Sequence, residues 1–313
     1  MLSRKILFII IFLFTFANVL LFLIIKNKGE ILFMISIIVS IRNQYAMNSL
    51  FLESLKKYTY HPFEIIVIDN GSTDNSVKLF ESFGAKVIRN KENYSYPYCQ
   101  NQGVKIAEYD LFAFFNNDII VSKDWDKILV EKLKQENLDV AGFGCNDSIE
   151  KYPDTRPLKR RWKHFKNLLL TVFGFGKFSL KTMFKFMYGD WDKCIERWNK
   201  KYQGVVREGI SGSCVMMTRR GYDLLDGWDE RIQAADFDIY MKTKERSQMY
   251  GDIRPAHNIM EIYIHHYGRL TLKKDYVPFK DLQNIISVKE KWGDKYDDLL
   301  KDLSHEGEKR KVG

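Results

Sequence analysis

The 313-residue chain contains no Gly-x-Gly-x-x-Gly fingerprint, no P-loop pattern and no Cys-x-x-Cys pair. Without those glycines the backbone has no close approach to a pyrophosphate, which argues against an NAD-dependent oxidoreductase. Cys99, Cys145, Cys194 and Cys214 lack metal-type spacing, so they read as free structural thiols and point to a reducing compartment. No nucleic-acid module is recognisable either. The net charge of +9 then implies affinity for a different anion, a nucleotide phosphate or an anionic lipid. With 45% hydrophobic and 14% aromatic residues the chain is too apolar to be disordered, and it is long enough for one large core or two small ones.

What is present begins with Ile6 to Ile25, 20 residues without a charge, flanked by Arg4 and Lys5 on one side and Lys26 and Lys28 on the other. At 1.5 Å per residue such a run spans a bilayer's hydrocarbon core. No small-x-small cleavage site follows, so it is expected to be an uncleaved single-pass transmembrane helix, with 1–5 as its flank and 26–33 as a tether. Basic residues on both sides leave the orientation open.

Beyond the tether, β-branched runs alternate with amphipathic segments. "MISIIVS" (34–40), "FEIIVI" (63–68), "AKVIRN" (85–90) and "LFAFF" (111–115) read as strands; 44–58, 77–83 and 98–109 read as helices. This alternation predicts an α/β fold with a mixed, mostly parallel sheet flanked by helices. Ligands in such sheets bind beyond the carboxyl ends of the strands. Ser40 to Asn43, Asp69 to Ser72 and Asn116 to Asp118 all sit at such ends and are expected to converge on one crevice. The triplet Asn116-Asn117-Asp118 interrupts an otherwise apolar stretch, so its carboxylate either caps the strand end locally or holds something positive. Residues 151–206 mix Lys and Arg with Trp, Phe, Leu and Met. They read as a basic amphipathic insertion, either packed on the core with its basic face in solvent or lying on anionic lipid.

Taken in order, "ISIIVSIRNQ", "FEIIVIDNGSTDNS", "LFAFFNNDII", "SGSCVMMTRRGYDLLDGWDERIQAADFD" and "IYIHHYG" resemble the motifs of family 2 glycosyltransferases of the GT-A (Rossmann-like) fold. The resemblance covers about residues 34–145 and 207–271 and is nearest to the rhamnosyl- and galactofuranosyl-transferase-like subgroup. It implies a nucleotide-sugar-binding half at 34–150, an acceptor and catalytic half at 207–275 and a helical tail at 276–313. Asp118 matches the family's metal-binding carboxylate, which implies Mn²⁺ or Mg²⁺, and His265 matches its histidine ligand. Ser40, Asn70 and Asn117 match positions that hold the nucleoside, with Asp69 beside them. Arg42 stands where the family usually has an aromatic, and Asn70 where it often has Asp, so UDP- and dTDP-linked donors both stay open. Asp236 matches the general base of an inverting transfer, and Asp238 is expected to orient it. The Glu that usually precedes the base is Ala235 here. Trp228 resembles the acceptor-side aromatic, for a glycan or lipid-linked acceptor. The alternative is a catalytically inactive GT-A-like protein that binds nucleotide or glycan, motivated by Ala235 and by the single acid of the triplet. Asn70-Gly-Ser, Asn93-Tyr-Ser and Asn146-Asp-Ser would be glycosylated in a lumen, and a glycan on Asn70 would block the expected pocket. With the unpaired cysteines this favours a cytoplasmic catalytic domain over one in the Golgi lumen.

Overall fold

Runs of branched apolar residues form the middle of a nine-stranded sheet. The computed structural model describes residues 33–146, 155–268, 270 and 277–301. Strands β1 (Ile35–Ile41), β2 (Phe63–Asp69), β3 (Lys86–Arg89) and β4 (Leu111–Asn116) pair in parallel in the order β3-β2-β1-β4. The sheet continues through β8 (Cys214–Thr218), β6 (Val140–Cys145), β9 (His257–His266) and the two-residue β5 (Ile119–Ile120), while β7 (Val206–Glu208) also pairs with β9. The β4–β8, β8–β6, β9–β5 and β9–β7 pairings are antiparallel, and β6–β9 is parallel. The sheet is therefore mixed as expected, but it is mostly parallel only in its first half. The second half has antiparallel neighbours because β8 inserts between β4 and β6.

The central parallel strands β1, β2 and β4 are buried on both faces, which is why they read as continuous apolar runs, whereas the edge strand β3 (KVIR) is only partly covered. Ile35, Ile37 and Val39 of β1 face α1 (Tyr45–Tyr58), whose Met47, Leu50, Phe51 and Leu55 fill the same core. Ile38, Ile66 and Ile68 face the opposite layer, which holds α3 (Tyr96–Val104) and α9 (Ala235–Tyr250). Helix α3 starts at Tyr96 with Pro97 in its first turn and stops at Val104, short of the expected 109. Gly103 explains its close approach to the sheet: a Cβ there would lie 2.3 Å from Ile38 Cγ2.

Helices α2 (Ser76–Phe83) and α4 (Trp125–Gln135) complete the first layer. The basic stretch forms α5 (Thr155–Phe173), α6 (Lys177–Tyr188) and α7 (Trp191–Tyr202). Trp162, Leu180, Met183, Trp191 and Trp198 join the main core. After the short α8 (Arg219–Leu224) and α9, the tail supplies α10 (Val288–Trp292) and α11 (Lys295–Leu300). Among the described residues no helix is long and apolar enough to cross a membrane. The expected anchor at 6–25 lies outside them.

Candidate active site

Register places the expected residues along one rim. Ile41 pairs with Asp69 and Ser40 with Asn116, so the ends of β2, β1 and β4 lie side by side. The Asn116 amide donates to the Ser213 carbonyl (3.1 Å), which brings the chain before β8 to the same edge. Gly212 is next, and a Cβ there would lie 2.5 Å from Asp236 Oδ2. Only glycine lets that segment lie against the carboxylate.

The loops on this rim are stitched by their own side chains. Asn43 and Gln44 both adopt left-handed backbone, which turns the chain sharply into α1. Asn43 Oδ1 accepts from the backbone amides of Thr73 (2.7 Å) and Asp74 (3.2 Å), and the Asn43 amide donates to Ser72 Oγ (2.7 Å). Asn48, fully buried, donates to the Asn43 carbonyl (2.9 Å) and to Ser76 Oγ (2.8 Å) and accepts from Asn117 Nδ2 (2.6 Å). One buried amide thus fixes all three loops. In sequence Asn48 looks like any polar residue of an amphipathic helix, so nothing marked it.

Asp69 Oδ1 caps its own turn by accepting from the Ser72 amide (3.0 Å). Asn70 departs from its expected contact with the base. Its side chain is buried, donates to the Tyr94 carbonyl (3.0 Å) and Cys99 Sγ (3.3 Å), and accepts from Asn90 Nδ2 (3.0 Å). It holds the 90–99 loop in place. Burial pushes the Cys99 thiol up to about 12, and all four cysteines are free, as their spacing implied. Ser40 Oγ lies 3.5 Å from Gln100 Nε2. Arg42 keeps a buried Nε with no partner.

The histidine next to Asp118 is His266, not His265. Strand β5 pairs Ile119 with His266, so Asp118 meets the end of β9 and its carbonyl accepts from the Tyr267 amide (2.8 Å). His266 Nε2 lies 3.1 Å from Asp118 Oδ1, yet that buried oxygen has no aligned hydrogen-bond donor. Asn146, fully buried, clamps the His266 backbone from both sides: its Oδ1 accepts from the amide (2.6 Å) and its Nδ2 donates to the carbonyl (3.0 Å). His265 points to the opposite face, as alternation on a strand requires. It is enclosed by Trp162, Phe184, Tyr188 and Tyr267, and its Nδ1 lies 2.9 Å from Tyr188 Oη. Burial drives its pKa well down, so it stays neutral. Among the described residues no group of three side chains is assembled for a metal. Asp118 Oδ1 and His266 Nε2, 3.1 Å apart, are close enough to serve as two ligands of one cation, whose remaining ligands would be other oxygens.

Asp236 lies in the first turn of α9 and lines a cavity of about 210 Å³ together with Tyr96, Asn116, Gly212, Trp228, Gln233 and Ala235. Its carboxylate is half-buried, and loss of hydration raises its pKa despite lowering contributions from the helix-start amides. Two of the lining residues carry a buried polar atom with no partner among the described residues: Tyr96 Oη and Trp228 Nε1. Burial raises the Tyr96 pKa, helped by the Asp236 charge, so its hydroxyl stays protonated. Trp228 is 2% exposed, packed edge-on to Tyr96 and Phe114. It is a wall with an N–H, not the open stacking face that the resemblance implied.

Asp238 departs from its expected place beside the base. It is buried, accepts from Trp292 Nε1 (2.8 Å) and pairs with Lys291 (2.7 Å), so it fastens α10 to α9. Asp229 is also committed: hydrogen bonds from Arg231, then from Lys291, hold its carboxyl well below the usual range. Of the three neighbouring acids, Asp229 and Asp238 are paired with cations, whereas Asp236 has no cationic partner among the described residues and its pKa is raised.

Residues 36–190 match the family model of glycosyl transferase family 2. That region is a family 2 glycosyltransferase domain. The domain is similar to the glycosyltransferases YfnE of Bacillus subtilis (36% identity over 26% of this chain and 22% of YfnE) and GlyG of Streptococcus pneumoniae serotype 4 (27% over 34% and 37%). A longer match, 26% identical over 56% of this chain and 53% of the relative, is to a cholesterol galactosyltransferase of Borreliella burgdorferi. The chain thus spans well under two thirds of the length of these relatives. Among solved structures, the mannosyltransferase PcManGT from Pyrobaculum calidifontis in complex with GDP-Man and Mn²⁺ overlaps 74% of this chain and 56% of its own (TM-score 0.47, 12% identity). S. aureus TarS 1–349 in complex with UDP overlaps 74% and 60% (TM-score 0.48, 14% identity). Neither overlap is close enough to carry a residue's role from one chain to the other.

Proposed function

We propose that the chain is a membrane-anchored inverting glycosyltransferase that moves a hexosyl or deoxyhexosyl group from a UDP- or dTDP-linked donor to a glycan or lipid-linked acceptor. The donor is of the kind used in the rhamnosyl- and galactofuranosyl-transferase-like subgroup. The observation that carries this reading is Asp236: a carboxylate with no cationic partner among the described residues, with a raised pKa, lining a cavity on the rim of a family 2 domain.

The acceptor hydroxyl attacks the anomeric carbon from the face opposite the diphosphate and its proton passes to Asp236. The bond between the anomeric carbon and the diphosphate oxygen breaks as the new one forms, and its electron pair leaves with the nucleoside diphosphate. A carboxylate whose pKa is raised by dehydration is, in its ionised form, a stronger base than an ordinary surface Asp. Tyr96 and Trp228 form the wall that the sugar meets in the cavity, and Arg42 lies with the nucleotide side of the rim. Asp118 and His266 would hold Mn²⁺ or Mg²⁺, which neutralises charge on the departing diphosphate. Residues 6–25 form the anchor, and the catalytic domain lies on the cytoplasmic side. The burial of Asn70 and Asn146 supports that side, since a glycan on either is incompatible with its packing.

A panel of nucleotide sugars tested with Mn²⁺, reading thermal stabilisation and then nucleotide release, is the direct experiment. One sugar nucleotide that stabilises the chain and is turned over with an acceptor supports the reading. Stabilisation without any turnover, with or without acceptor, points to a binding protein instead.

A further inference from the structure

Helices α5 and α6 form a hairpin whose end carries apolar side chains that the core does not use. Leu168, Val172, Phe173, Phe175, Phe178 and Phe186 are 55%, 62%, 53%, 36%, 68% and 51% exposed. The same two helices bury Trp162, Leu169, Leu180 and Met183 on their inner face, so the core already has its stripe. A helix with an ordinary solvated outer face carries polar residues there. At the tip, Phe173 and Phe178 touch edge to face with ring centroids 5.6 Å apart, and Gly174 turns the chain at φ +66° between them. The result is a blunt aromatic knob with a second apolar patch along α6.

Charge selects what meets this knob. Residues 155–189 contain nine Lys and Arg and not one Asp or Glu. Lys177 and Lys181 are paired with Glu53 of α1, which ties the hairpin to the body of the protein. Arg160, Arg161, Lys163 and Lys185 are exposed on the same hairpin. Aromatic rings at a tip with a band of cations set back from it fit a surface that is apolar inside and anionic at its edge. An anionic lipid leaflet has that profile, since rings enter the boundary of the acyl chains while lysines and arginines meet the phosphates. A protein partner would need a matching acidic pocket for the rings and cations alike.

We propose that the α5–α6 tip inserts into an anionic leaflet, with Val172, Phe173, Phe175 and Phe178 below the headgroups. This contact is separate from the anchor at 6–25 and does not depend on the reaction at Asp236. It holds the hairpin, and through Tyr188 the wall behind β9, against the bilayer.

The test uses the full chain reconstituted in vesicles, so that any anchor is present in every arm. An environment-sensitive dye is attached at Phe178→Cys in a Cys194→Ser background, with Phe175→Cys as a second position. Met249→Cys on α9, at a residue 62% exposed, serves as the control. In phosphatidylcholine vesicles containing phosphatidylglycerol, emission at 178 and 175 should shift to the blue. Quenching by bromine-labelled acyl chains should be several-fold stronger there than at 249, and weaker in phosphatidylcholine alone. Quenching at both tip positions no greater than at 249 in the anionic vesicles overturns the proposal. So does energy transfer between labelled copies that grows with the protein-to-lipid ratio while quenching stays at the control level, which would assign the tip to a second copy of this chain.

Discussion

Asp236 gains its basicity from dehydration, and the same dehydration costs stability. Its folded pKa lies above the unfolded value, so the folded state binds the proton more tightly. Stability from this group is therefore full below the unfolded pKa of about 3.9 and is lost as pH rises through the folded one. Asp236→Asn should lower transfer by about 10² to 10⁴-fold while leaving donor binding near that of the unaltered chain. In the same variant the melting temperature at neutral pH should rise, because a charge that is costly to dehydrate is removed. The acid limb of the pH profile of kcat/KM should fall above the ordinary carboxylate range. A variant with normal turnover would move the base elsewhere. The histidines give a second test at this scale. His266→Ala and Asp118→Ala should each weaken Mn²⁺-dependent donor binding, measured by calorimetry. His265→Phe, within the aromatic cluster, should leave it unchanged. The reverse pattern would restore His265 as the ligand.

At the scale of elements, α9 depends on the tail for its seat. Asp238 is 1% exposed, and Lys291 and Trp292 of α10 supply its partners. Removing a carboxylate from such a pair leaves buried donors unsatisfied. Lys291 keeps Asp229 at 2.9 Å, so the penalty falls at the low end of the range for broken buried pairs. Asp238→Ala should destabilise the fold by about 3 kcal/mol in denaturant titration. Activity in that variant should recover on cooling, as it would not if Asp238 were chemically engaged. Loss of transfer at every temperature with unchanged stability would make Asp238 part of the reaction. A buried carboxylate is thus one of the links between the tail and the site, beside Asp281 at Ser95 and Ile286 at Arg231, and no short motif discloses it.

For the whole molecule, burial bears on the proposed side of the membrane. Asn70 and Asn146 are 6% and 0% exposed, and both carry hydrogen bonds that position loops of the site. All four cysteines are free and three are buried. A chain with these features is expected to fold where neither glycosylation nor oxidation occurs. In sealed membranes the catalytic domain should accordingly be digested by protease added from the cytoplasmic side. Protection of residues 30–313 would place it in a lumen and overturn the assignment.

Local sequence determined most of the first half. The runs 35–41, 63–69 and 111–116 are buried on both faces, so their apolar composition alone marks them as parallel strands, and parallel order puts Ser40, Asp69 and Asn116 on one rim. It also fixed the free thiols and the acid at the start of α9. Tertiary structure decided the rest. Choosing between His265 and His266 needed the pairing of β5 with β9, because a one-residue shift on a strand reverses the face. Roles for Asn48, Asn146, Tyr96 and Gly212 come from contacts with residues distant in the chain, to which composition and periodicity are blind. Asp236 and Asp238 stand two positions apart in one helical turn and are chemically alike. Only the arrival of Lys291 and Trp292, more than fifty residues later, separates a carboxylate that fastens the fold from one left open to a substrate.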